Sequence, residues 1–247
     1  MQHQWKSFKR VPAQDSSFRL NWKKISLTSA SLDELKTDAL LEPDWIKWAK
    51  ALQAISQTGL HFTKDRFDRE RYVTIGEIAA EILAKHSNLK KHEYLDLFKD
   101  EVGYATPKVD VRAAIFQKNK ILLVEELLDD RRWTLPGGWA DVNESPSESI
   151  RRETFEESGF EVDVKKIIAV YDRTSHGHTP HYPFHVYKIF FLCEITGGAA
   201  RSSIETGRIE FFPEDGLPEL SRGRITEQQV AMCFEHFRKP SLPTEFD

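Results

Sequence analysis

The chain has 247 residues, 40% of them hydrophobic, and a formal net charge of −4. This length supports one sizeable core or two modest ones, and so mild a charge gives no reason to expect a nucleic acid or an anionic membrane as partner. No apolar run approaches the length of a membrane span, and none near the start forms a signal-peptide core. These features exclude a membrane protein and predict a soluble, cytoplasmic one.

Residues 1–40 are expected to form a basic N-terminal extension that is poorly ordered. In the first 31 residues six basic side chains oppose a single acid, Asp15, which gives a local charge of +5 and leaves −9 for the rest. The segment shows no hydrophobic periodicity, which favours a disordered or loosely attached tail. A basic, acid-poor, Ser-containing start is also typical of an organelle-targeting presequence, and this alternative stays open.

Residues 41–104 have the pattern of a small all-α domain. Apolar residues recur at helical spacing after Pro43, with Gly59 as the expected stop, and two further helical stretches follow before Gly103. Three helices of this length cannot enclose the aromatic side chains that they carry, which are Trp45, Trp48, Phe67, Tyr72, Tyr94 and Phe98. We therefore expect these helices to pack on the rest of the chain or on a second copy, and we predict a homodimer.

From about residue 107 the pattern becomes one of strands, and we take residues 105–247 as a second domain. Val109–Gln117 and Ile121–Glu125 are rich in β-branched and aliphatic residues, with a plausible turn at 118–120. Further strands are expected at 162–171, 184–195 and 209–212, with helices near 145–158 and 226–237. Strands interrupted by two helices predict a layered α/β domain. Cys193 and Cys233 lie in apolar stretches, as reduced thiols do.

The helix near residue 145 is well signalled at both ends. Ser145 and Glu148 form a capping box around Pro146, and Gly159 suits the left-handed position after the last turn. The helix is therefore expected to run for about three turns.

One face of that helix carries Glu153, Glu156 and Glu157, spaced so that they are neighbours. Three carboxylates there repel one another and oppose the helix dipole, so a bound cation is needed to offset the cost. Hard oxygen donors at this spacing suit Mg²⁺ or Mn²⁺. The alternative is an acidic face that contacts only water.

Two neighbouring features support the metal-binding interpretation. The glycine loop 135–138, Leu-Pro-Gly-Gly, lets the backbone approach a metal or phosphate closely. Arg152 precedes Glu153 and can orient it through a charge-assisted hydrogen bond.

Together these residues resemble the Nudix box, which runs Gly, five residues, Glu, seven residues, Arg-Glu-apolar-any-Glu-Glu-any-Gly-apolar. Residues 138–160 match all seven fixed polar or glycine positions, and Thr154 departs at one apolar position. The segments 109–114 and 132–139, with the preceding helices, resemble a Nudix subgroup that has an N-terminal helical domain. That subgroup cleaves nucleoside diphosphates linked to another moiety, such as CDP-choline and ADP-ribose.

The resemblance implies a Nudix-type α/β/α sandwich with a mixed sheet, preceded by the small all-α domain. It implies a divalent cation, Mg²⁺ or Mn²⁺, with Glu156 and Glu157 as principal ligands and Glu153 as a further ligand or the base. The carbonyl of Gly137 or Gly138 is a further expected ligand. Glu144 is expected to contact Arg152 and hold it in place, without binding the cation itself.

The general base stays open, because Nudix enzymes use either a box glutamate or an acid on a later loop. Glu205 precedes the strand-like 209–212 and is the candidate for the later acid, with Glu210 as its competitor. An exposed loop carboxylate without a role is the alternative for both.

Four further residues are expected to contact substrate. Arg112 lies on a strand with a buried face, where its charge needs a partner: a substrate phosphate or a nearby carboxylate. Trp139 follows the glycine loop and can stack on a base. His178 and His181 lie in a loop expected to face substrate, although with His176 they leave open a zinc site of unusual spacing.

The sequence therefore predicts an enzyme that hydrolyses a nucleoside diphosphate joined to a second group. Two alternatives stay open, a Nudix-fold protein that binds a nucleotide without cleaving it and an enzyme that processes RNA ends. The intact glutamate set disfavours the first. The second is disfavoured because the strand-rich domain lacks the basic, aromatic stripe that single-stranded RNA needs.

Overall fold

A computed structural model describes residues 42–247, so the expectations for the basic extension at residues 1–40 lie outside the described residues. Three helices come first, α1 (Asp44–Phe62), α2 (Arg66–Lys85) and α3 (Lys91–Phe98). Strands β1 (Lys108–Gln117), β2 (Lys120–Glu126) and β3 (Trp133–Thr134) lead into α4 (Pro146–Ser158). The chain continues through β4 (Phe160–Asp172), β5 (Val186–Gly198), β6 (Thr206–Phe212), α5 (Glu227–Arg238) and β7 (Glu245–Phe246).

The strands form one mixed sheet in the order β3-β2-β1-β5-β4-β7, with β6 also paired to β2. The β1–β5 pairing is parallel and the β1–β2 and β4–β5 pairings are antiparallel. Lys118 and Asn119 join β1 to β2 with positive φ angles of 51° and 59°. Both central residues of a type I′ turn need that conformation, and its twist matches the flanking strands.

Side chains of β1 alternate between two cores, one on each face of the sheet. Val111, Ala113 and Ile115 pack with Ile150 of α4. Ala114 packs on the other face with Val230 and Phe234 of α5. The sheet therefore lies between two helices, and the predicted α/β/α sandwich is confirmed.

The helical segment differs from expectation at Gly59. The residue was expected to end α1, but the helix runs on to Phe62, so that prediction is wrong. A Cβ atom at Gly59 would lie 2.4 Å from the ring of Tyr72 on α2. The glycine therefore serves the close approach of two helices rather than a helix end.

The helices pack only part of their aromatic surface. Tyr94 and Phe98 are buried in a core with Ile46 and Leu83, and Phe184, just before β5, packs against the same core. Trp48 and Phe67 stay 62% and 60% exposed. Within residues 42–247 no helix combines the length and apolar composition needed to cross a bilayer.

Candidate active site

The glutamate-bearing helix α4 starts and ends as its sequence predicts. The Ser145 side chain accepts from Glu148 N, and the Glu148 carboxylate accepts from Ser145 N at 2.8 Å. Gly159 follows the helix with φ of 76°. Ile150 anchors the helix in the core. Glu153 and Glu157, one helical turn apart, therefore face the protein and are 4% and 6% exposed. Thr154, which stands where the Nudix box has an apolar residue, is fully buried.

The glycine loop brings backbone against those two carboxylates. Gly137 N donates to Glu157 Oε2 at 2.8 Å, and the Gly138 carbonyl accepts from Val111 N at 2.8 Å. A Cβ atom at Gly138 would lie 2.8 Å from Glu153 Oε2. Because the Gly138 carbonyl already accepts from β1, Gly137 is the better candidate for a backbone ligand.

Gly137→Ala is expected to lower the stability of the protein by about 3 kcal/mol or more and to abolish hydrolysis. Gly137 has φ of +136°, and a Cβ atom there would lie 2.0 Å from the Val111 carbonyl oxygen. Gly103→Ala is the matched control, since Gly103 has φ of +90° with nothing within 4 Å of the added atom. Gly103→Ala introduces backbone strain alone, whereas Gly137→Ala adds the clash, so thermal melting of the two variants separates the two effects. Equal melting temperatures would contradict the expectation.

Arg152 holds the acidic side chains around it in place. Its Nε donates to Glu144 Oε1 at 2.9 Å, and its Nη1 donates to Glu153 Oε1 at 2.8 Å and to Glu156 Oε2 at 3.3 Å. Asp141 lies 3.2 Å from Nη2. Arg152 is thus placed to orient Glu153, and Glu144 in turn holds Arg152. The Glu156 side chain is 51% exposed, in contrast to the buried Glu153 and Glu157.

A cavity of about 190 Å³ opens beside Glu153 and Glu157. Its walls come from β1, the end of β2, the glycine loop and the residues after it, α4, and the loops before β5, β6 and α5. The lining includes Glu126, Gly137, Trp139, Glu153, Glu157, Tyr182, Glu205 and Arg224.

The cavity has a surplus of negative charge. Burial and the nearby charge of Glu126 raise the pKa of Glu157 to about 8, although Arg112 acts in the opposite direction. A divalent cation would offset this repulsion, and carboxylate and carbonyl oxygens are the donors that Mg²⁺ and Mn²⁺ accept. The residues therefore fit a hard cation by their chemistry.

The carboxylates are held by protein donors in this conformation. Among residues 42–247 no three His, Cys, Asp or Glu side chains surround one point as a ready-made metal cage. Glu153 is engaged by Arg152 and Glu157 by Gly137 N. A bound cation would therefore share these carboxylates with Arg152 and with Gly137 N.

Arg112 forms the ion pair that was the alternative to a phosphate contact. Its Nη2 lies 2.7 Å from Asp110 Oδ2, and its Nη1 donates to the Leu135 carbonyl at 3.1 Å. Lys188, opposite Asp110 on β5, donates to the same carboxylate at 2.5 Å. Burial opposes the charge of Asp110, but Arg112 and Lys188 outweigh it and lower its pKa to about 2. Arg112 thus lies at the cavity wall and anchors the start of the glycine loop.

His178 does not reach the cavity, which corrects the expectation that it faces a substrate. It is 3% exposed, its Nδ1 lies 3.0 Å from the Arg222 carbonyl, and its Nε2 lies 3.0 Å from Gln229 Nε2. His181 is half-buried and is absent from the cavity walls. Burial and the charges of Arg173 and Lys50 lower the pKa of His181 to about 4. His178 thus joins its loop to the segment 222–229, and neither histidine lines the cavity.

Trp139, a predicted substrate contact, and Glu205, the candidate base, do reach the cavity. Trp139 forms part of its wall beside Tyr182, with 6.3 Å between ring centroids. Glu205 also lines the cavity. Its competitor Glu210 is exposed on β6, 3.7 Å from Arg208.

Glu126, Tyr182 and Arg224 belong to the cavity but were not among the residues expected there. Glu126 is 6% exposed and lies 3.3 Å from Arg224 Nε. Two acidic residues, Glu125 and Glu126, follow the buried apolar run 121–124, and this pair was a usable signal for Glu126. Arg224 had no such signal, because it lies nearly 100 positions from Glu126 and reaches it only through the fold.

Comparison with known proteins identifies related chains. Residues 43–98 match a family described as a UDP-X-like, N-terminal oligomerisation domain, and residues 106–231 match the NUDIX domain. The chain is 43% identical to YjhB of Bacillus subtilis (strain 168), provisionally named an ADP-ribose pyrophosphatase. That match spans 84% of this chain and 99% of YjhB.

Two solved structures resemble the chain. The crystal structure of a UDP-X diphosphatase is 36% identical, covers 83% of this chain and 98% of its own, and has a TM-score of 0.53. An ADP-ribose pyrophosphatase from Streptococcus suis 89-1591 is 42% identical and covers 57% of this chain and all of its own, with a TM-score of 0.52.

Proposed function

This chain belongs to the Nudix hydrolase family, and from that premise we propose that it hydrolyses the diphosphate bond of a nucleoside diphosphate joined to another group, of the ADP-ribose or UDP-X kind. The products are a nucleoside monophosphate and a phosphorylated second group. The observation that carries the proposal is the burial of Glu153 and Glu157 in one cavity with Glu126, Glu205 and Gly137. The names of YjhB and the UDP-X diphosphatase support the substrate class.

The size of the cavity fits part of such a substrate. At about 190 Å³ it is smaller than the pockets of about 300–1,000 Å³ that enclose whole ligands. The acidic and basic walls suit the diphosphate and its counter-ions, while Trp139, stacked on the buried Tyr182, offers aromatic surface. We therefore place the diphosphate in the cavity and the base or the second group against the aromatic wall.

The chemistry follows from the residues at the walls. Glu153, Glu157 and the Gly137 carbonyl would hold Mg²⁺ or Mn²⁺, with Glu126 within the same cavity and the exposed Glu156 on the same helix. When bound, the cation neutralises phosphate charge and lowers the pKa of the attacking water. Glu205 accepts the proton of that water, and Arg152 keeps Glu153 in position.

A hydrolysis panel tests this function. It contains ADP-ribose, a UDP-sugar, CDP-choline, nucleoside triphosphates, and capped and plain RNA, each with added Mg²⁺ or Mn²⁺ and with a chelator. We expect the conjugated diphosphates to be cleaved, with activity that rises with pH and is lost on chelation. In heavy-oxygen water one phosphoryl product alone should carry the label, since water attacks a single phosphorus. Cleavage of RNA alone, or full activity after chelation, would contradict the proposal.

We also propose that the chain is a homodimer through its helices. Trp48, Ile55 and Phe62 follow one another at seven-residue spacing on α1 and are 62%, 51% and 64% exposed. Residues seven apart share one side of a helix, so they form a continuous apolar stripe. The described role of the matching N-terminal family, oligomerisation, supports a second copy as the occupant of this stripe.

The double variant Trp48→Glu with Ile55→Glu is expected to raise the dimer dissociation constant by about 30-fold or more, since buried tryptophans dominate interface energies. Glu235→Lys on α5 changes the charge equally outside the helical domain and should leave the dimer intact. Light scattering at micromolar concentration decides the matter. A monomeric wild-type protein would remove the dimer proposal.

A further inference from the structure

Four aromatic rings connect the helical domain to the wall of the catalytic cavity. Phe98 of α3 meets Phe184 edge to face with 5.4 Å between centroids. Phe184 meets Tyr182 at 5.4 Å, and Tyr182 meets Trp139 at 6.3 Å. All three spacings lie in the attractive range for aromatic pairs, about 4.5–7 Å. We call Phe98, Phe184, Tyr182 and Trp139 the aromatic chain.

Both ends of the aromatic chain are fixed. Phe98 is 6% exposed within the core of the helical domain. Trp139 directly follows the glycine loop, and its backbone bridges to that of Asp110 on β1. Tyr182, between them, is 1% exposed and is itself part of the cavity wall. A displacement of Phe184 would therefore move the ring that shapes the cavity.

The loop that carries Tyr182 and Phe184, residues 173–185, is anchored from two directions. Its first half is held by the catalytic domain, where Arg173 donates to the Gly223 carbonyl and His178 contacts Gln229. Its last part packs on the helical domain, where Phe184 meets Phe98 and Leu89. Phe184 also lies 4.7 Å from Lys108 Nζ at the start of β1. The helical domain thus supplies the support for the half of the loop that faces the cavity.

We propose that the helical domain shapes the substrate site of its own chain through the aromatic chain, in addition to its role in assembly. Phe98 and Phe184 are positioning residues: they hold Tyr182 and Trp139 where the base or the second group of the substrate packs. This inference rests on the proposed function for the identity of the substrate. The support of Tyr182 and Trp139 by Phe98 and Phe184 does not depend on that function.

The kinetic test uses the full-length variants Phe98→Leu and Phe184→Leu with ADP-ribose, or with the best substrate of the panel. Loss of the ring loosens binding of the aromatic part of the substrate, so KM should rise about three- to tenfold while kcat changes about twofold or less. Phe184→Tyr, which keeps the ring, should restore a KM near that of the wild type. Light scattering should show unchanged assembly.

Phe116→Leu is the matched control. Phe116 packs on Phe234 and Phe237 with centroids 5.0 and 4.2 Å away, in the catalytic domain but outside the aromatic chain. Its KM should stay at the wild-type value. An equal rise of KM in this control, or a rise that follows loss of the dimer, would overturn the proposal.

A second measurement needs no substrate. The emission of Trp139 is obtained as the difference between each protein and its Trp139→Phe counterpart. Its quenching by acrylamide should increase about twofold in Phe98→Leu and Phe184→Leu, because Tyr182 no longer covers the ring. If the panel finds no cleavage but quenching increases, the proposed function fails and the inference stands. Unchanged quenching in both variants overturns it.

Discussion

Glu157→Gln is expected to lower kcat by about two to four orders of magnitude at saturating Mg²⁺, since a metal site contributes several kcal/mol to the stabilisation of transition-state charge. Glu157 is 6% exposed, lies at the cavity, and is held by Gly137 N. Glutamine keeps the shape and the acceptor oxygen for that amide but removes the negative charge that a cation needs. The fold should therefore survive while the activity is lost.

The same substitution should stabilise the metal-free protein at neutral pH. Burial and Glu126 raise the pKa of Glu157 from its ordinary 4.5 to about 8. Between these values the folded state holds a proton that the unfolded state has released, so this group makes stability fall as pH rises from about 4.5 to about 8. Melting curves in chelator across that range should decline less steeply for Glu157→Gln than for the wild type.

Glu235→Gln is the matched control for both measurements, because Glu235 is an exposed glutamate on α5, paired with Lys239 and distant from the cavity walls. It should leave kcat and the pH dependence of melting unchanged. Near-normal turnover of Glu157→Gln at saturating Mg²⁺ would remove Glu157 from the metal site.

Local signals in the sequence predicted the helix that carries the site. The capping box of Ser145 and Glu148 and the left-handed Gly159 are contacts among near neighbours, and the structure has them as expected. The alternation of β1 between two cores follows equally from its period of two. Such features need no knowledge of the rest of the chain.

Features that depend on distant packing could not be read in the same way. Gly59 looks like a helix stop, and only the position of Tyr72 explains why it lies inside α1. His178 looks like a ligand in an exposed loop, but the fold buries it against Gln229. Glu126 pairs with Arg224, which lies in a separate loop. In each case the missing information was which segment lies next to the residue.

Glu205→Gln is expected to lower kcat by about two orders of magnitude, the usual contribution of a positioned general base. Glu205 lies in the cavity wall, in the loop that leads into β6. Its backbone is fixed, since Glu205 N donates to Ser203 Oγ at 3.1 Å and its carbonyl accepts from Leu127 N at 3.0 Å. The backbone that carries the carboxylate is thus fixed. A general base needs this, because it has to meet a water molecule in a defined position.

Binding of Mn²⁺, measured by calorimetry, separates a base from a metal ligand. A base can be neutralised without loss of the metal, so Glu205→Gln should bind Mn²⁺ as tightly as the wild type, whereas Glu157→Gln should bind it much more weakly. Glu210→Gln is the matched control on the same segment, because Glu210 is exposed on β6 beside Arg208 and should be dispensable. If Glu205→Gln loses Mn²⁺ affinity together with turnover, Glu205 is a ligand, and the proton of the attacking water goes to Glu153 instead.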